Sequence, residues 1–425
     1  MSLVNATLTP SSTGQWQAHE LAYCSNVHPG DELPAVMDNL VSFFQPVRQQ
    51  RQLEQMASGL WLSANTVKKL SGIHAHNQLA AFKASLVQNG VRLTSLNGFP
   101  YGDFHQDVVK QKVYSPCWAT QARLNYSVEL ATILADCLPE GKTSGAISTL
   151  PLGYAVNWSD THQYKAVQNL LRLIWQLERL EQKSGKCIRF ALEMEPDCVL
   201  EETQQLINFF HQHLIPQAKL QGIAENTVLR YLGCCYDTCH QAVMFEDCRQ
   251  SLNAIHSAGI VVAKIQISNA LSVRLENKAQ VDALCHLFSD KKFLHQCKIM
   301  LPDENHKKNQ MVSLPDLDQS ELAQLLKQYD CLQCRIHYHV PIHKQNIQIN
   351  EHFEVLTTQD AILSTLDFLS AHKNLKPELE IETYTWLNFL HQGALSSGDL
   401  ITGLVQEFDF LTQYMQQKGL LCPNR

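Results

Sequence analysis

Short apolar runs alternate with longer amphipathic stretches along most of this chain. Eight of the short runs read as strands, at 21–27, 59–63, 92–97, 145–150, 188–194, 229–236, 260–267 and 379–384. The stretches between them read mostly as helices. In 162–180, Val167, Leu170, Leu171, Ile174 and Leu177 keep the three-four spacing of one buried stripe; Leu206, Ile207, Phe210 and Leu214 repeat it in 201–214. Eight strand–helix alternations imply a parallel sheet, and eight is the number of strands that closes a barrel. The predicted fold class is α/β, a (β/α)8 TIM barrel. Residues 21–425 would form a single domain and residues 1–20 a flexible arm.

One region breaks the rhythm. Residues 268–378 separate the seventh and eighth strands, with a polar, loop-like piece at 303–316 and one extra strand-like run at 335–341. Insertions in such barrels usually enlarge the loops over the active face, so this one is expected over the C-terminal mouth.

Composition narrows the class. An apolar share of 45% in 425 residues suits a globular protein with a large core, and a net charge of -7 argues against a nucleic-acid-binding face. The first twenty residues lack the apolar core of a signal peptide, and no apolar run approaches the roughly 20 residues that span a bilayer. The fourteen cysteines fall mostly within strand and helix patterns, so the expectation is a cytoplasmic protein with reduced thiols. Cys331 and Cys334 have the spacing of half a zinc knuckle, but no second such pair completes it, and packed thiols are the expected reading.

In a barrel of this kind the active site lies at the C-terminal strand ends. Polar residues collect there: His28 after the first strand, Asn97 and then His105 after the third, Glu193 and Glu195 on the fifth, Asp237 and His240 after the sixth, Lys264 and Gln266 on the seventh, Glu380 and Glu382 on the eighth. The insertion adds His337 and His339. Residues two apart on a strand share a face, so each of these strand pairs points one way. Carboxylates sent inward from several strands would repel unless paired, protonated or bound to a cation, and a divalent cation is the simplest resolution. Each residue also has a plainer reading. Asp237 could cap a helix, His28 could order a turn, and Trp386 could be a packing residue.

The strings Gly233-Cys234-Cys235-Tyr236-Asp237-Thr238-Cys239-His240, Leu192-Glu193-Met194-Glu195-Pro196 and Leu379-Glu380-Ile381-Glu382-Thr383 resemble the sixth, fifth and eighth strands of xylose-isomerase-like TIM barrels. That superfamily includes sugar isomerases and epimerases and endonuclease IV. Its epimerase-type members hold one divalent ion with a Glu, an Asp, a His and a Glu from strands five to eight. The resemblance thus implies Glu193, Asp237 and Glu382 as ligands, with Gln266 where the histidine would stand. An amide oxygen can ligate a hard cation but is a poor zinc ligand, so either His339 takes over or the metal is weakly held or absent. A closer resemblance covers nearly the whole chain. Tyr23-Cys24-Ser25-Asn26-Val27-His28-Pro29-Gly30, Leu96-Asn97-Gly98-Phe99-Pro100-Tyr101-Gly102 and Ile381-Glu382-Thr383-Tyr384-Thr385-Trp386 are similar to the EboE family of metabolite traffic proteins. Gene clusters of that family include a prenyltransferase-like membrane protein, which implies a functional link to such a partner.

Together these readings imply a metal-dependent protein acting on a small polyhydroxylated or carbonyl-containing metabolite by isomerase- or epimerase-type proton transfer. The ion would be Mn, Mg, Zn or Co. Glu193 and Glu382 would serve as ligands and as acid and base, His240 would bond a substrate oxygen, and Lys264 would add positive charge. His28, Asn97, His105, Glu195, His337 and Trp386 would contact substrate. The alternative is a metal-free, non-catalytic metabolite carrier using the same pocket. A nuclease resembling endonuclease IV is a third reading, opposed by the acidic charge, and no nucleic-acid partner is expected.

Overall fold

The computed structural model describes residues 15–72, 75–102, 109–289, 292–301, 310–386 and 397–422. Seven parallel strands come first: β1 Leu21–Tyr23, β2 Met56–Trp61, β3 Val91–Asn97, β4 Ser144–Thr149, β5 Cys187–Glu193, β6 Leu232–Asp237 and β7 Val262–Ile267. Six strands of the insertion follow: β8 Leu271–Leu275, β9 Cys297–Leu301, β10 Gln310–Leu314, β11 Leu332–Ile336, β12 Asn346–Asn350 and β13 Phe353–Thr357. The chain then returns as β14, Glu378–Ile381. The main sheet runs in the order β1-β14-β7-β6-β5-β4-β3-β2, and a parallel bridge from Cys24 to Gly59 joins its two edges. The result is the expected eight-stranded barrel, nearly closed, with the insertion between its seventh and eighth strands.

Several strand boundaries differ from the sequence reading: the first strand was expected over 21–27, but β1 stops at Tyr23 and Ser25–Val27 is a 3-10 helix, and the second was expected over 59–63, but β2 runs Met56–Trp61. The sixth strand was expected from residue 229, but Glu225–Tyr231 is a helix whose Val228 and Tyr231 are buried at helical spacing, and β6 starts at Leu232. The eighth was expected to reach 384, but β14 stops at Ile381.

Helices cover the outside of the barrel. Asp160–Ser184 is capped by Ser159, which accepts from the His162 N–H, and ends at Gly185, where φ is +70°. The second expected helix is interrupted. Thr203–Asn208 is α-helical, Phe209–Leu214 forms a wider π-turn, and Ile215–Leu220 resumes the α-helix. Pro216 explains this. It lacks an N–H, and its ring would crowd the carbonyl four residues back; the wide turn lets the Ile215 N–H bond Phe210 instead. The same device precedes Pro46, where the Gln45 N–H reaches Leu40.

The insertion holds more structure than the sequence reading expected. In place of one extra strand it carries a six-stranded antiparallel sheet, ordered β10-β9-β11-β8-β13-β12, over its own apolar core of residues such as Val273, Leu284, Phe288, Ile299 and Val355. Burial in β8 alternates, with Leu271, Val273 and Leu275 inside and Arg274 exposed. The anticipated strand at 335–341 is also corrected: β11 ends at Ile336, so His337 and His339 follow the strand rather than occupy it. Lys298 ties this sheet to the turn after β5, bonding Asp197 at 2.7 Å and Glu201 at 3.0 Å. Of residues 1–20, the described part is pinned down. Trp16 is buried, its indole N–H donates to Pro377, and its carbonyl accepts from Cys422.

Candidate metal centre at the mouth of the barrel

The barrel interior begins with a buried ion pair. Lys264 of β7 donates to Glu380 of β14 at 2.9 Å and to Ser148 of β4 at 3.3 Å, and both members of the pair are fully buried. Ser95 of β3 donates to the other Glu380 oxygen at 3.0 Å. Burial alone would lower the Lys264 pKa, but the Glu380 carboxylate beside it raises it above its ordinary value. The carboxylate takes the room of an absent side chain, since a Cβ on Gly59 would lie 1.5 Å from Glu380 Oε2. Gln266, two residues nearer the mouth, accepts a thiol hydrogen bond from Cys235 at 3.0 Å. Lys264 and Gln266 are absent from the pocket wall described next.

Above this layer the strand ends of β5, β6 and β14 bring Glu193, Asp237 and Glu382 together, all buried, with ligand atoms within 4.8 Å of one another. Asp237 does two jobs with two oxygens. Oδ1 caps the short helix Thr238–Val243, accepting from the Cys239 N–H at 2.7 Å, the His240 N–H at 3.1 Å and the Ser268 hydroxyl. Oδ2 has no hydrogen bond, and neither do Glu193 Oε2, Glu195 Oε2 and Glu382 Oε2. Four buried carboxylate oxygens left without donors are costly. Burial raises the Glu193 carboxyl well above the usual range, reinforced by the charges of Glu382, Asp237 and Glu195. Glu382 is raised likewise by burial, then by Asp237 and Glu380, with Lys264 opposing. Burial pushes Glu195 up to about 7, while His240 and a Tyr114 hydroxyl at 2.7 Å restrain it.

Three imidazoles lie against these acids. His240 Nε2 is 3.1 Å from His337 Nε2, which is 3.1 Å from His339 Nε2. The Nδ1 atoms face away, to the Met194 carbonyl at 2.8 Å, the Gln296 side chain at 2.7 Å and the Glu382 carbonyl at 3.0 Å respectively. His339 falls in one group with Asp237 and His240, whereas His337 groups with Glu195 and His240. Burial holds His337 well below the ordinary histidine pKa and His339 at about 4.

One pocket opens on this cluster. Glu193, Glu195, His240, His337, His339 and Glu382 line it together with Asn26 and Asn97, and its remaining wall is largely aromatic and aliphatic, including Phe99, Val113, Phe293 and Tyr384. Two other expected substrate contacts, His28 and Trp386, lie elsewhere. His28 bonds Tyr23 at 2.9 Å and lines a second, smaller cavity. Trp386 donates its indole N–H to Glu407 at 2.9 Å and packs on Gly403. His105 lies outside the described residues. Tyr114, Gln296 and Ser268 orient the site and were missed. Tyr114 sits in a single turn with no periodic signal, and Gln296 precedes a strand, β9, that was itself missed.

The residues present fit a divalent cation, because unbonded carboxylate oxygens and inward-facing imidazole nitrogens are the ligands such ions take.

No family model matches the chain, and no curated protein matches it. Solved structures do. A xylose isomerase-like TIM barrel protein from Mycobacterium smegmatis, in complex with magnesium, aligns at 11% identity and a TM-score of 0.48, covering 95% of this chain and 99% of that one. The IOLI protein with a zinc atom aligns at 12% and 0.46, covering 93% and 98%. A D-allulose 3-epimerase from Methylomonas sp., in complex with D-allulose, aligns at 13% and 0.34 over 58% of this chain and 70% of that one. The strand order itself, rather than these alignments, establishes the barrel.

Proposed function

We propose that this chain is a metal-dependent enzyme of EboE-like type, which moves a proton on a small polyhydroxylated or carbonyl-containing metabolite. The observation that carries this is the convergence of Glu193, Asp237 and Glu382, each with an unbonded buried oxygen, at a pocket that Glu193 and Glu382 line. A divalent ion bound there would supply Lewis-acid stabilisation of charge developing on substrate oxygens. Glu193 and Glu382 would hold it and flank the substrate. Glu195, raised to about 7, is a further carboxyl able to give or take a proton near neutral pH, and Tyr114 fixes its orientation. His240 presents Nε2 to the pocket because its Nδ1 is bonded to Met194. The apolar wall excludes water and suits a metabolite with an apolar portion beside its oxygenated head.

Lys264 is assigned no substrate contact in this reading, since Glu380 and Ser148 occupy its ammonium. A nuclease is not favoured. Among the described residues the pocket wall carries one basic chain, Lys110, and Asp316 pairs with it.

The test is solvent-proton exchange. Purified protein, metal-loaded or chelated, is incubated with a panel of ketoses, inososes and hydroxy-ketones in deuterated water, and carbon-bound deuterium is read by NMR. Metal-dependent exchange on at least one compound, lost in Glu193→Gln, is expected. Tight binding of a co-purifying metabolite with no exchange would instead establish the carrier reading.

A further inference from the structure

We infer that Gln296, supplied by the insertion, is a positioning residue for Glu195: its amide directs the Tyr114 hydroxyl hydrogen onto Glu195 Oε1 and so leaves Oε2 as the oxygen at which Glu195 takes or gives a proton. The role rests on the proton transfer proposed above. In that transfer one proton passes from the substrate to Oε2 and another returns from it, while the electron pair of the broken bond stays on the substrate.

The hydrogen-bond partners fix each direction. A carbonyl oxygen only accepts, so the Gln296 atom 3.3 Å from the Pro196 carbonyl must be the amide nitrogen. The same nitrogen donates to the Tyr114 oxygen at 3.1 Å. The Tyr114 hydrogen therefore lies away from Gln296 and goes to Glu195 Oε1 at 2.7 Å. A carboxyl whose Oε1 accepts this bond carries any proton of its own on Oε2, and that oxygen is buried without a hydrogen bond. Glu195 also lines the pocket. Gln296 Oε1 remains, and it accepts from Nδ1 of His337 at 2.7 Å, so that nitrogen carries hydrogen.

The amide is held in this register. Gln296 is fully buried, and with both hydrogens and its oxygen engaged it cannot rotate without losing bonds. His337 donates its backbone N–H to the Gln296 carbonyl at 2.9 Å, which fixes the two side chains relative to each other. Lys298, two residues further on, bonds Asp197 at 2.7 Å, next to the Pro196 carbonyl that Gln296 holds. The start of β9 thus grips the turn after β5 at two adjoining points, and Glu195 lies two residues past the end of β5. In this way the folding of the insertion sets the orientation of a barrel carboxyl.

Two readouts test the role: the kinetics of deuterium exchange, and 15N NMR of histidine-labelled, chelated full-length protein. Gln296→Met keeps the bulk of the side chain and removes its hydrogen bonds. It should lower kcat for exchange about ten- to a hundredfold, the scale of loss when a catalytic group is misplaced, and leave KM within about twofold. Tyr114→Phe should match it, and the double variant should be no slower than the slower single one, because both act through one oxygen. Additive losses, or a rise in KM alone, would overturn the role and make Gln296 a packing residue. In the NMR spectrum the His337 signals, assigned by their loss in His337→Ala, should show hydrogen on Nδ1 in wild type and a shift toward the other tautomer in Gln296→Met. Hydrogen on Nε2 in wild type would also overturn the role. If Gln296→Met fails to fold, the wild-type tautomer and the kcat of Tyr114→Phe decide it, an unchanged kcat counting against. Exchange that Gln296→Met leaves untouched would remove this role and keep the proposed reaction. Wild type that exchanges nothing would remove the reaction and the role within it, while the tautomer would still report the amide's hold on His337.

Discussion

Gly59 shows how much can depend on one missing atom. Its place on β2 is filled by the Glu380 carboxylate, which in turn holds the Lys264 ammonium. Gly59→Ala should therefore destabilise the fold by about 1–3 kcal/mol, the usual cost of overpacking, seen as a lower urea midpoint; an unchanged midpoint would mean that Glu380 is not seated there. Glu380→Gln should cost about 3–5 kcal/mol, because it leaves a buried ammonium without its counter-charge. The double change Lys264→Met with Glu380→Leu should recover most of that loss. If Lys264 instead served substrate, the double variant would regain stability yet lose exchange activity.

At the scale of elements, the last helix matters more than its distance from the pocket suggests. Helix Ser397–Gln417 sends Glu407 inward, where it accepts from the Ile342 N–H at 3.0 Å, the Thr383 hydroxyl at 2.7 Å and the Trp386 indole at 2.9 Å. It thus clamps the turn after β14, which carries Glu382, and the segment just beyond His339. Burial pushes the Glu407 carboxyl up to about 7 from 4.5, although its three donors pull the other way. A folded pKa above the unfolded one means that the folded state binds more protons within that window. Stability from this group is thus full below about pH 4.5 and declines as pH rises through about 7. Thermal melts of Glu407→Gln from pH 4.5 to 8 should show a flatter decline than wild type, and parallel curves would discount the group.

Across the whole molecule the same sign applies to the site. Glu193, Glu195 and Glu382 are all raised when no cation accompanies them, so chelated protein should lose stability as pH rises from 5 to 8. A divalent cation should reverse the trend, stabilising more at pH 8 than at pH 5 because its carboxylate ligands must be ionised. At a hundredfold excess over Kd the gain would be about 2.7 kcal/mol. Melting curves with Mn²⁺ or with chelator at the two pH values check this; an equal shift at both would separate the effect from the acid cluster. The insertion enters at this scale too, since two of the three imidazoles come from the segment directly after β11, whose sheet has its own core.

The barrel and much of its site could be read from the sequence because the signals are local. Strand alternation puts Glu193 and Glu195 on one face, and the end of a strand puts Asp237 within reach of His240, whatever the rest of the chain does. The insertion's sheet was legible in principle, as in Leu271, Val273 and Leu275, but its strands are only five residues long and give weak periodicity. What no local pattern could decide is partnership. Lys264 and Glu380 are 116 residues apart, and His240 and His337 are 97 apart. Their pairing depends on the barrel closing and on the insertion folding back over its mouth. Only then does a lysine on an inward face become a core ion pair rather than a substrate contact, and only then do three histidines from separate parts of the chain stand with successive Nε2 atoms 3.1 Å apart.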